Sequence, residues 1–210
     1  MRMKYNPEIH DRRSIRLKGH DYSAPGYYFV TIVTHNRVCS LGVIVDDRVL
    51  LNDQGEIVEN EWLKTPQIRP NIALDEYVIM PNHVHGIIVI KEDEHGNVLY
   101  NGHEQQHRRG TLLRAPTSRH NRTTRYPPKP EQFGKPTCNS IPTIVRSFKS
   151  TVTKQINTIR NMPGTPLWQR NYYEHVIRDE QELNGIREYI LYNPLTWERD
   201  VENPICNAKD

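Results

Sequence analysis

The 210-residue chain has a hydrophobic fraction of 36%, a mean hydropathy of -0.76 and a formal charge of only +3. That length fits one domain with appendages, and no run approaches the roughly 20 apolar residues of a membrane span. The balance of 28 Lys and Arg against 25 Asp and Glu names no partner, Met1 to His20 is too polar for a secretory signal, and Cys39, Cys138 and Cys206 match no zinc spacing, so a soluble cytoplasmic protein in a reducing compartment is expected.

In chain order, residues 1–24 form a basic extension carrying Arg2, Lys4, Arg12, Arg13, Arg16 and Lys18 against Glu8 and Asp11. After Pro25-Gly26, the aromatic and β-branched run Tyr27 to Thr34 predicts a strand. Val43 to Leu51 predicts a second, broken by Asp46-Asp47, and Glu56 to Lys64 a helix with Ile57 and Trp62 as its apolar contacts. Ile72 to Met80 and His83 to Ile90 read as strands, and the short Pro81-Asn82 connection makes them antiparallel. Residues 92–137 are a polar, arginine-rich insertion, long for a loop inside a compact domain. The spacing of Ile141, Ile144, Val145, Phe148, Val152, Ile156 and Ile159 predicts an amphipathic helix that ends near Pro163-Gly164. Trp168 to Ile177 reads as a turn and a short edge strand. Asp179-Glu-Gln-Glu182 is a capping box that opens a last helix, which Pro194 stops near Asn193. These elements describe one α+β domain over residues 25–197, an antiparallel sheet with helices on one face and an additional C-terminal helix, followed by a tail at 198–210.

Two places carry chemistry. His83 and His85 are two apart in a strand, so they share a face, and an imidazole pair of this kind can clamp a divalent cation given a third ligand. The plain alternative is a pair of half-exposed histidines. On the last helix, Leu183, Ile186 and Ile190 form the buried stripe, and Tyr189 and Asn193 are an i,i+4 pair at its edge. Asn193 offers a neutral oxygen to a metal and Tyr189 a phenol of ordinary pKa about 10. Alternatively Tyr189 packs and Asn193 caps the helix. Gly86 leaves room for a close approach on the face opposite the histidines. Gly185, inside the last helix, lends it either mobility or close packing. Trp62, Trp168 and Trp197 read as packing residues. There is no Walker motif, dinucleotide fingerprint or Ser-His-Asp signature.

Met80-Pro-Asn-His-Val-His-Gly86 resembles the His-hydrophobic-His motif of the HUH-class nucleases, and within them it is similar to the single-tyrosine, REP-associated tyrosine transposases. Arg16 to Ile32, Phe148-Lys149, Leu167 to Glu180 and Tyr189-Ile-Leu-Tyr-Asn-Pro194 resemble further parts of that group in the same order. The likeness covers nearly the whole chain outside roughly Glu92 to Thr137.

The resemblance implies a ferredoxin-like catalytic core acting on single-stranded or hairpin DNA, as a monomer or homodimer. It implies Mg²⁺ or Mn²⁺ on His83, His85 and Asn193, with Tyr189 as nucleophile forming a 5′-phosphotyrosine. Tyr192 is the rival, but it points about 60° further from Leu183 than Tyr189 does on a helix of about 3.6 residues per turn. Arg12, Arg13, Arg16, Lys18, Lys149 and Arg170 are candidate DNA contacts. Two other functions stay open: a repeat-DNA-binding protein without catalysis, and a metal-dependent phosphodiesterase that uses water.

Overall fold

The computed structural model describes residues 19–92 and 139–204. A four-stranded antiparallel sheet organises them: β1 (Gly26–Val33), β4 (Ile72–Ile79), β5 (His83–Ile90) and β6 (Tyr173–Ile177), in spatial order β4-β5-β1-β6. A separate hairpin, β2 (Gly42–Val45) and β3 (Arg48–Leu51), turns at Asp46-Asp47. Both turn residues have positive φ (48° and 59°), the conformation that suits a two-residue hairpin and that Asp tolerates. What the sequence presents as one interrupted strand is therefore two. The helices are α1 (Asp53–Leu63), the single turn α2 (Thr65–Ile68), α3 (Ile141–Ile159) and α4 (Glu180–Tyr192).

The order β1-α1-β4-β5-α3-β6 with β1 beside β5 is the split β-α-β arrangement of a ferredoxin-like sheet, so the expected α+β class is the observed one. Strand alternation divides the residues between two cores. Tyr28, Val30, Ile32, Val84, Ile88 and Ile90 face α1 and α3, where they meet Val58, Trp62, Ile144, Val145, Phe148, Val152 and Ile156. Phe29, Ile87 and Ile177 face the other way and meet Leu183, Ile186 and Ile190 of α4. The C-terminal helix thus covers the sheet face opposite α1 and α3. That is the face to which His83 and His85 belong by strand alternation, since Val84 faces α1 and α3.

α1 and α4 start on side-chain caps, whereas the longer α3 has none at Ser140. Asn52 accepts from the backbone N–H groups of Gln54 and Gly55 at α1, and Asp179 accepts from that of Glu182 at α4. Glu182 completes its half of the exchange one residue early, on the N–H of Arg178, and also binds His175. A register shift between Leu74 and Tyr77 leaves Asp75 in a β-bulge of β4. Arg187 of α4 grips that carboxylate with two hydrogen bonds, Nε to Oδ1 at 2.7 Å and a terminal nitrogen to Oδ2 at 2.6 Å. This pair fixes α4 along its axis, where apolar packing alone leaves sliding room. Among the described residues no helix is long and apolar enough to cross a membrane.

The two singled-out glycines divide clearly. A Cβ on Gly86 would sit 2.4 Å from Cζ2 of Trp62, so the glycine admits an indole rather than a backbone. A Cβ on Gly185 would meet nothing within 4 Å, so close packing is not its purpose. Gly86→Ala is expected to destabilise the fold by about 1–3 kcal/mol through overpacking, a loss that shrinks in a Trp62→Phe background. Gly185→Ala is expected to stabilise it by up to about 1 kcal/mol through helix propensity. Urea unfolding curves of the purified variants measure both, and a Gly86→Ala protein as stable as the parent contradicts the packing assigned to Trp62.

Candidate functional site

The site begins with the turn before β5. Asn82 is fully buried and its amide nitrogen donates to two carbonyls, those of Arg37 (3.1 Å) and Glu202 (2.7 Å). Its oxygen is therefore the end that meets Nδ1 of His83, at 2.8 Å. A carbonyl oxygen only accepts, so Nδ1 carries the proton and Nε2 of His83 holds a bare lone pair. That Nε2 is buried and has no hydrogen-bond partner. His85, two residues on, lies opposite Thr31 of β1, whose hydroxyl is 2.8 Å from Nδ1. Phe29 stacks on the His85 ring with centroids 5.4 Å apart. The two imidazole centroids are 4.3 Å apart, and the residues are 0% and 3% exposed, so the histidines are not the half-exposed pair that the motif also allows.

α4 brings the phenol. The Tyr189 hydroxyl lies 3.1 Å from Nε2 of His85, with ring centroids 5.1 Å apart. Although Tyr189 is 45% exposed, its hydroxyl end is turned inward, while Tyr192 is 55% exposed and stands off the site. Asn193, at the end of α4, is 1% exposed; its amide nitrogen donates to Oδ2 of Asp200 (2.9 Å), and its oxygen is buried without a partner. Trp197 tilts over His83 with centroids 5.9 Å apart.

The electrostatics follow from burial. Desolvation holds the His85 pKa well below the ordinary imidazole value, and a charge on neighbouring His83 lowers it further. Desolvation lowers His83 too, against the opposing pull of Asp200, Glu202 and the Asn193 side chain. Tyr189 is pushed up to about 12, first by burial and then by the carboxylates of Asp200 and Glu202. The histidines are thus neutral and the phenol keeps its proton at neutral pH.

His83, His85 and Asp200 offer ligand atoms that lie within 4.8 Å of one another, and such a group could hold a metal ion. The two orphaned acceptors, His83 Nε2 and Asn193 Oδ1, belong to the same cluster. Leaving a buried polar group unpaired costs about 1–3 kcal/mol, and a cation would offset both. The nitrogen and oxygen donors present therefore fit a divalent cation.

Of the other sequence candidates, Arg12, Arg13, Arg16 and Lys18 lie outside the described residues, as does nearly all of the insertion at 92–137. Lys149 is not a free surface cation. Its ammonium donates to the carbonyls of Gln169 (2.5 Å), Arg170 (3.4 Å) and Asn171 (3.3 Å), and burial lowers its pKa to about 8. Arg170 is exposed and, with Lys149, lines an open groove of about 730 Å³ beside α3, on the sheet face away from the histidines. Trp62 and Trp168 are core residues, as their sequence context suggests. Asp200 is the residue that sequence reasoning misses. It falls in the expected tail, beyond the last periodic element, and only the 3-10 turn over Pro194–Arg199 folds it back onto Asn193.

No family model matches the chain. A protein of Haemophilus influenzae, named only as uncharacterized, is 42% identical over 200 residues, covering 95% of this chain and 97% of that one. Two solved structures are more distant. One, described as a REP-associated tyrosine transposase bound to a REP hairpin, has a TM-score of 0.47 and 18% identity over 89% of this chain and 86% of that one. The other, named "putative transposase" from Deinococcus radiodurans, has a TM-score of 0.36 and 16% identity over 84% and 96%. At such distances neither likeness establishes an activity.

Because both histidines are harder to protonate in the fold than in the unfolded chain, the unfolded state binds more protons below about pH 6.5. Stability of the metal-free protein is expected to be complete above that pH and to fall as the pH drops, by at most about 1.4 kcal/mol per unit for each histidine. Urea titrations in EDTA at pH 8, 6 and 5 measure this. A His85→Gln variant should show a shallower fall, and an identical slope in that variant rules out the assignment.

Proposed function

The chain belongs to the same family as the uncharacterised Haemophilus influenzae protein, and for its site we propose a metal-dependent DNA strand transferase that cleaves and rejoins single-stranded or hairpin DNA through a 5′-phosphotyrosine. The observation that carries the reading is the Tyr189 hydroxyl 3.1 Å from an imidazole of a two-histidine cluster in which His83 Nε2 and Asn193 Oδ1 lack partners. The motifs of the chain, which resemble the REP-associated tyrosine transposases, support the same reading.

In this reading His83, His85 and Asn193 would hold Mg²⁺ or Mn²⁺, with Asp200 close by. A cation there would supply polarisation of the scissile phosphate and neutralisation of charge on its nonbridging oxygens. That neutralisation matters because Asp200 and Glu202 make the ground around Tyr189 negative, which otherwise repels a phosphodiester. The Tyr189 hydroxyl and a cation would compete for the same His85 Nε2, so the phenol would be free to turn toward substrate in the loaded site. The Tyr189 oxygen then bonds to phosphorus and its proton passes to solvent. The bond from phosphorus to the 3′-oxygen breaks, and that oxygen leaves protonated as a free 3′-hydroxyl. A second 3′-hydroxyl reverses the step, joins a new strand and returns the proton to Tyr189. The covalent link conserves the phosphodiester energy, which suits a chain with no phosphate-binding loop for ATP.

Arg187 and the buried stripe of α4 hold the nucleophile in register with β5. Tyr173, 44% exposed and edge-on to Phe29, offers an aromatic surface beside the site for an unpaired base.

The test is incubation of the full chain with single-stranded, hairpin-bearing DNA and Mn²⁺, read on denaturing gels and by mass spectrometry of the DNA-linked peptide. The expected adduct sits on Tyr189. Tyr189→Phe should lose both cleavage and adduct, and EDTA should abolish both in the parent. Undiminished cleavage by Tyr189→Phe would favour hydrolysis by water, and binding without cleavage by the parent would favour a repeat-binding protein.

A further inference from the structure

We propose that Asp200 is a positioning residue whose carboxylate sets the Asn193 amide so that the oxygen, not the nitrogen, is presented to the histidine pair. The inference rests on the metal-binding reading above and deepens it. A carboxylate only accepts hydrogen bonds, so the end of an amide that meets it must be the nitrogen. Oδ2 of Asp200 receives that nitrogen at 2.9 Å, and Oδ1 is occupied by the backbone N–H of Glu202 at 2.7 Å. With both oxygens engaged and the residue 8% exposed, the carboxylate is held against Asn193. The amide oxygen is left as the free, buried end beside His83.

The same strap of chain sets the other ligand. The carbonyl of Glu202 receives the Asn82 amide nitrogen at 2.7 Å, which turns the Asn82 oxygen to Nδ1 of His83 and leaves Nε2 bare. The Glu202 side chain is itself tied to Arg37 at 2.7 Å. Residues 200–202 therefore fix the acceptor atoms of two separate candidate ligands, His83 through Asn82 and Asn193 through Asp200. Hydrogen-bond partners of this kind, outside the ligands themselves, orient metal ligands and typically govern 10–100-fold of affinity.

Asp200→Asn discriminates because it keeps the shape and reverses the hydrogen-bond sense. Its one oxygen stays with the Glu202 N–H, so its NH₂ faces Asn193 and recruits the Asn193 oxygen by turning that amide over. Three measurements on the full chain follow. In the metal-free protein, the ¹⁵N-edited side-chain amide signals of Asn193, assigned by their loss in Asn193→Ala, should shift strongly in Asp200→Asn. Mn²⁺ affinity, titrated directly, should fall about 10–100-fold. In an Asn193→Ala background, where only the lost charge still counts, Asp200→Asn should lower Mn²⁺ affinity by clearly less than it does in the parent. Amide signals that do not move overturn the proposal. So does an equal further loss of affinity in the Asn193→Ala background, which makes Asp200 a ligand in its own right. A lowered melting temperature with unaltered Mn²⁺ affinity reduces Asp200 to a structural tie. If the parent takes up no Mn²⁺ yet the amide signals respond, the strand-transfer reading fails while the orienting contact stands.

Discussion

Two imidazoles buried side by side on the central strand of a sheet are the constraint around which the rest of this protein is arranged. A sheet face packed by a helix ordinarily fills with aliphatic side chains, and further along β5 it does, with Ile87 beside Phe29 and Ile177. At His83 and His85 the same face carries polar rings that water cannot reach. Each ring has one nitrogen satisfied by a neighbour on the sheet side, Asn82 for His83 and Thr31 for His85. The outer nitrogens are left for whatever α4 and the following turn bring. The cost of keeping such groups unpaired is of the order of 1–3 kcal/mol each, and a fold tolerates it where the groups act together.

The surrounding structure can be understood as the means of holding α4 at a fixed height over these rings. Apolar contacts of Leu183, Ile186 and Ile190 choose the face of the helix. The Arg187 clamp on Asp75 chooses its position along the axis, and the β4 bulge is what places Asp75 outside the ladder where it can be reached. A one-turn slip would carry Tyr189 about 5.4 Å away from His85 and leave Asn193 without Asp200. On the other side of the sheet, the fit of Trp62 into the space over Gly86 keeps β5 flat against α1 beneath the histidines.

The charges around the phenol point in one direction. Asp200 and Glu202 raise the Tyr189 pKa and oppose the approach of a second anion, while burial lowers the pKa of both histidines. Such a cluster attracts a cation and repels a bare phosphate. The residues whose carboxylates raise the Tyr189 pKa also hold the Asn193 and Asn82 side chains in place, Asp200 through its carboxylate and Glu202 through its carbonyl, and strengthen the local negative potential.

What is periodic or adjacent along the chain was legible in its residues alone. Alternation in β1 and β5, the three- and four-residue spacing of α3, the Asp179 cap and the Pro81-Asn82 turn place the elements within a residue or two, and the i,i+2 spacing puts His83 and His85 on one face. The i,i+4 spacing likewise puts Tyr189 and Asn193 on one side of α4. Long-range packing alone reveals that α4 lies on the face opposite α1 and α3, that Lys149 serves three carbonyls, and that Asp200 and Glu202 return to the histidines. Those contacts join residues far apart in sequence through single hydrogen bonds. A single hydrogen bond has no periodicity and so leaves no pattern to read; it exists only once the packing of larger elements has brought its two ends within about 3 Å.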